Sequence, residues 1–69
     1  MMRKLNQADL WLMSEIKNQL LTEYGVKEEH LEGYIDNSNF MKFLYENPVF
    51  THHEGPEKWA KHIAENNPI

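Results

Sequence analysis

The apolar residues of the first third of the chain recur at helical spacing. On a wheel of about 100° per residue they occupy roughly half of the circumference. These residues are Leu10, Leu12, Met13, Ile16, Leu20, Leu21 and Tyr24. Asn6 is a favourable N-cap with Asp9 placed to complete a capping box, and Gly25 can take the left-handed conformation that ends a helix. The pattern predicts one amphipathic, core-facing helix from Asn6 to the Tyr24-Gly25 corner.

Two shorter helices are expected beyond this corner. The segment from Lys27 to Ile35 has apolar residues that can share a seam with the first helix, and two helices joined by a tight glycine turn form a helix-turn-helix pattern. Asp36 is a suitable N-cap for a third helix. That helix should end at Asn47, because the residue before a proline avoids the helical region. Its residues Phe40, Phe43 and Leu44 are expected in the core.

The segment that follows is ambiguous. Residues 49–51 are apolar and partly β-branched, and they are predicted to form either one arm of a small hairpin or an extended connector. Pro56 suits the first position of a last helix. The fold class predicted for residues 1–69 is therefore mainly α. We expect one compact domain of three to four helices with a helix-turn-helix core and at most a short β-hairpin wing.

Composition and charge restrict the function. A domain of 69 residues buries only about 60% of its unfolded surface, so a homodimer or another partner would add stability. The chain has no cysteine and no long apolar run, and we expect a soluble cytoplasmic protein. Its net charge of −4 is opposite to the basic footprint of DNA-binding domains.

Acidic residues concentrate in the predicted second helix. Between Glu23 and Asp36 five carboxylates accompany Lys27 as the single lysine. Such a run serves solubility on many small domains, but it can also meet a basic protein surface. Trp11 lies on the polar side of the first helix, so either another segment covers it or it anchors a partner.

Candidate chemistry is sparse. Three histidines and two glutamates lie within eleven residues, namely His52, His53, Glu54, Glu57 and His62. Their spacing matches no zinc motif, because HEGPE lacks the second histidine of H-E-x-x-H. No serine has a recognisable base beside it, and no glycine-rich phosphate loop is present. We predict no catalytic residue, no metal site and no cofactor.

From about Leu20 to Ile63 the chain resembles the small winged helix-turn-helix, excisionase-like proteins of Gram-positive prophages. The resemblance rests on Gly25-Val26, Leu31, Ile35, Phe40, Leu44, Val49-Phe50, Gly55 and Trp59. It implies a DNA-binding architecture, a mobile-element origin and a hairpin wing at PVFTHHEGPEKW. The helix that would read DNA in that family is acidic in this chain, KEEHLEGYI.

Two hypotheses follow. The first is a non-enzymatic regulator or inhibitor of phage type, which occludes the basic, nucleic-acid-binding surface of a host protein. Its predicted partner-binding residues are Glu28, Glu29, Glu32, Asp36 and Trp11. The alternative is a DNA-binding accessory factor, either an excisionase or a transcriptional regulator. Its predicted DNA-contacting residues are Lys27, His30, Lys42, Lys58 and Lys61.

Overall fold

The computed structural model describes residues 4–66, which form four α-helices and one short 3₁₀ turn. The helices are α1 (Gln7–Glu23), α2 (Leu31–Asn37), α3 (Phe40–Glu46) and α4 (Pro48–Glu65), and the 3₁₀ turn is Glu28–His30. Residues 4–66 contain no β-strand. The predicted mainly helical class is confirmed.

Both ends of α1 lie where local signals predicted them. The Asp9 amide donates to Asn6 Oδ1 at 2.9 Å, and the Asn6 amide donates to Asp9 Oδ2 at 3.0 Å, which completes the capping box. At the other end Gly25 has a φ of +65°. The Val26 amide then donates to the Leu20 carbonyl at 2.9 Å. The positive φ of Gly25 turns the chain sharply away from the helix.

The buried side of α1 is narrower than predicted. Its buried apolar residues are Leu12, Ile16 and Leu20. Leu10, Leu21 and Tyr24 were also expected to face the core, but each is exposed. The reason is the arrangement of partners: α1 packs mainly against α4, while its contacts with α2 are few. A single partner helix covers only one stripe of α1.

The boundary between the second and third helices also differs from the prediction. Asp36 lies inside α2 rather than capping α3, which begins at Phe40. Ser38 separates the two helices because its hydroxyl donates to the Ile35 carbonyl at 2.7 Å and accepts from the Phe40 amide at 3.2 Å. This serine satisfies backbone groups at the end of α2 and the start of α3.

Residues 49–51 form neither the predicted hairpin arm nor the alternative extended connector, because they belong to the first turn of α4. Pro48 occupies the start of α4, where its missing amide hydrogen has no cost. Asn47 caps the helix by accepting from the Phe50 amide at 3.4 Å. The buried Thr51 donates its hydroxyl to the Asn47 carbonyl at 2.8 Å. The last helix was predicted to begin at Pro56, but α4 begins at Pro48, and the non-helical dihedral angles of Gly55 form a kink within it.

An aromatic contact joins α3 to the second half of α4 within the core. The Phe40 and Trp59 rings meet edge to face with centroids 5.2 Å apart, and Trp59 Nε1–H donates to the Thr51 carbonyl at 3.0 Å. Phe40 and Leu44 are buried as predicted, whereas Phe43 is 38% exposed. The other buried apolar residues are Leu12, Ile16, Leu20, Val26, Leu31, Ile35, Ala60 and Ile63.

Three glycine substitutions test this backbone. Gly55 has φ +81° and ψ 166°, a region nearly restricted to glycine, so Gly55→Ala should lower the free energy of unfolding by about 1–3 kcal/mol. Gly25→Ala should lower it by about 1–2 kcal/mol. Gly33 lies inside α2 with open space around its Cα, so Gly33→Ala should raise stability by about 0.5–1 kcal/mol. Urea unfolding followed by circular dichroism measures all three. Equal changes in the free energy of unfolding for Gly55→Ala and Gly33→Ala would contradict the non-helical backbone conformation of Gly55.

Candidate functional site

The predicted acidic residues lie together on the surface. Glu28 and Glu29 belong to the 3₁₀ turn, and Glu32 and Asp36 lie one turn apart on α2. All four are exposed, and we call them the acidic segment. Lys17 of α1 reaches Glu32 with an Nζ to Oε1 distance of 3.1 Å, and His30 Nε2 lies 3.9 Å from Glu29 Oε1.

An open groove adjoins the acidic segment at the corner after α1. It has a volume of about 320 Å³ and is lined by Tyr24, Gly25, Val26, Lys27, His30 and Tyr34. We call it the corner groove. Tyr24, the residue after α1, is 43% exposed there. The helical pattern had assigned Tyr24 to the core, so sequence reasoning missed it as a surface residue.

Trp11 is on the surface but on another side of α1. Its side chain is 56% exposed, so the expectation that another segment covers it is wrong. Lys17, which pairs with Glu32, points about 120° away from Trp11 around the helix axis. The structure therefore does not bring Trp11 together with the acidic segment.

The residues predicted to contact DNA are all exposed and belong to separate segments of the chain. Lys27 and His30 lie at the corner, Lys42 lies on α3, and Lys58 and Lys61 lie on α4. Lys58 Nζ is also 3.8 Å from Glu54 Oε2. The helix that would read DNA, α2, contains no lysine or arginine.

The histidine-rich stretch belongs to α4, and its members diverge. His52 and His53 are neighbours on one helical turn, and His62 lies beyond the kink at Gly55. Within residues 4–66 no group of three or more His, Cys, Asp or Glu side chains is placed to hold a metal ion. His62 stacks edge-on against Trp59, with ring centroids 5.7 Å apart.

A buried polar contact joins the start of α1 to the first half of α4. His52 Nε2 lies 2.7 Å from Asp9 Oδ1, and Asp9 is only 1% exposed. Asp9 thus holds its own helix N-terminus with one oxygen and reaches α4 with the other. The capping pattern identified Asp9, but its partner lies 43 positions away, so no local signal could reveal the contact.

A second groove lies between α3 and α4. Its volume is about 230 Å³, and it is lined by Phe43, Phe50, Glu54, Lys58, Trp59 and His62. The Phe43 ring lies 5.8 Å from Phe50 and 5.7 Å from Trp59, so the floor is a continuous aromatic surface. The groove could not be predicted from the sequence, because Phe50 was expected in a hairpin arm or an extended connector rather than in a helix.

Comparisons of the chain with protein-family models, curated protein sequences and solved structures gave no match. The resemblance to excisionase-like proteins stays a prediction from sequence, without its hairpin wing. No helix in the described part of the chain combines the length and apolar character needed to cross a membrane.

The Asp9–His52 contact predicts that substitutions of these two residues have non-additive effects on the free energy of unfolding. Asp9→Ala removes the carboxylate that accepts from the Asn6 amide and contacts His52, and it leaves both groups without this partner. It should therefore lower the free energy of unfolding by about 1–3 kcal/mol. The exposed Asp36→Ala is the control and should change it by less than about 0.5 kcal/mol. In a double-mutant cycle with His52→Ala, the coupling energy should be about 1–2 kcal/mol. Strict additivity of the two substitutions would show that the contact contributes nothing.

Proposed function

We propose that this chain is a small non-enzymatic regulator or inhibitor that uses the acidic segment to bind a basic surface of another protein. The supporting observation is the geometry of that segment. Four carboxylates are exposed within nine residues, and Lys17 and Lys27 are the nearby lysines. The segment therefore carries an excess of negative charge.

The neighbouring corner groove adds aromatic side chains to the charged surface of the acidic segment. Tyr24 and Tyr34 line this groove, and Lys27 and His30, which also line it, are next to Glu28 and Glu29 in the chain. An arginine of a partner can stack on an aromatic ring while its guanidinium forms paired hydrogen bonds with a carboxylate. Basic, arginine-containing surfaces are those with which proteins hold nucleic acids.

The mechanism that we propose is occlusion. Complementary charge accelerates and orients the encounter, and the bound domain then covers the groove that nucleic acid would occupy. The phage origin implied by the resemblance is compatible with an inhibitor of a host protein and is part of the same proposal.

DNA binding is the competing hypothesis. It would use Lys27, His30, Lys42, Lys58 and Lys61. The acidic α2, which has no lysine or arginine, weighs against it, because association with phosphates depends on clustered positive charge.

A charge reversal tests the proposal. Glu28→Lys with Glu29→Lys should abolish capture of basic proteins from the heparin-binding fraction of a Gram-positive bacterial lysate, because it removes the charge complementarity. Glu46→Lys with Glu65→Lys is the matched control, since both residues are exposed on other helices and the change in net charge is the same.

Wild-type protein and the control should retain the same set of proteins, and moderate salt should weaken that binding. If the reversed variant retained that set as well, the acidic segment would have no part in binding. Circular dichroism checks that each variant remains folded.

A further inference from the structure

One exposed face of α1 carries no charge over four turns. Seven exposed residues lie within an arc of about 120° on this helix. They are Gln7, Leu10, Trp11, Ser14, Asn18, Leu21 and Thr22. We call them the uncharged face. In the whole chain 26% of residues are charged, so about two charged residues would be expected among these seven.

The apolar members of this face are well exposed. The exposed fractions are 54% for Leu10, 56% for Trp11 and 38% for Leu21. Aromatic enrichment and depletion of charge characterise the centre of protein interfaces. The helix is thus apolar on two sides, and α4 covers only the side that contains Leu12, Ile16 and Leu20.

The lack of charge also indicates the kind of partner. A basic or acidic partner surface would meet no charge of opposite sign on this face. When two such uncharged faces pack together, no charged side chain is buried without a partner. A two-fold axis can cross α1 between residues 15 and 16, midway between Leu10 and Leu21. An antiparallel copy of α1 related by this axis then places Leu10 of one protomer opposite Leu21 of the other.

We propose that the chain forms a symmetric homodimer through the uncharged face, with the two α1 helices antiparallel. Ser14, a small residue near the axis, allows the helices to approach closely. The face is about 22 Å long and one helix wide, so the buried area should lie at or below the low end for specific interfaces. We therefore expect a weak dimer, with a dissociation constant of roughly 10–100 μM. This inference concerns a different surface from the acidic segment and does not depend on it.

Sedimentation equilibrium over a wide range of concentrations tests the proposal. Wild-type protein should dimerise, and Leu21→Glu should raise the dissociation constant by at least about tenfold by placing a charge in the apolar contact. Val49→Glu is the matched control, because Val49 is 82% exposed on α4 and the substitution changes the charge equally. It should leave the dissociation constant unchanged.

Two results would overturn the proposal. One is a protein that stays monomeric into the hundreds of micromolar, which would leave the face for a different partner. The other is a dimer that Val49→Glu weakens and Leu21→Glu does not, which would assign the contact to the surface around α4. Both substitutions are at exposed positions, and circular dichroism verifies the fold.

A cysteine cross-link tests the proposed axis separately. The chain contains no cysteine, so one introduced cysteine can form a disulfide only with another copy. Ser14→Cys lies within two residues of the axis and should cross-link rapidly under mild oxidation. Glu65→Cys, exposed on α4, is the control and should cross-link at the slow rate of random collisions. Equal rates for the two variants would contradict the antiparallel arrangement.

Discussion

The packing of α1 against α4 determines both the core and the surface of this domain. Leu12, Ile16 and Leu20 fill one stripe of α1, and the Asp9 carboxylate fixes its first turn to His52. Because α2 contacts α1 only marginally, nothing among the described residues covers the opposite side of α1. One-sided packing therefore explains why a small core coexists with several exposed apolar side chains. It also leaves the acidic segment at the edge of the domain, linked to α1 through the Lys17–Glu32 ion pair.

Features set by neighbouring residues could be predicted from the sequence. The Asn6–Asp9 capping box, the turn at Gly25 and the break between Asn47 and Pro48 each depend on a few adjacent positions. The segment after Pro48 shows where such reasoning fails. Val49 and Phe50 favour a strand by propensity, but the Asn47 cap and Pro48 start a helix there, and burial of Thr51 against the core stabilises it.

The surfaces were predictable only in part. Charge alone predicted that the acidic segment would be exposed, since ionised side chains are rarely buried without partners. The helical wheel could not show how much of the surface of α1 the other helices would cover, so it assigned Leu10, Leu21 and Tyr24 to the core. The Asp9–His52 contact and the aromatic groove between α3 and α4 depend on tertiary packing, which no local pattern encodes.

We propose that the acidic segment binds protein, a claim which requires that the domain does not bind nucleic acid through phosphate contacts. Fluorescence anisotropy of a labelled random-sequence DNA duplex, titrated with the purified protein at low and then at physiological salt, tests it most directly. Association driven by phosphate contacts is visible at low salt even without a specific site, and it weakens as salt rises. We expect no binding at either salt concentration. Binding at low salt that weakens with added salt would contradict the claim and favour the DNA-binding hypothesis.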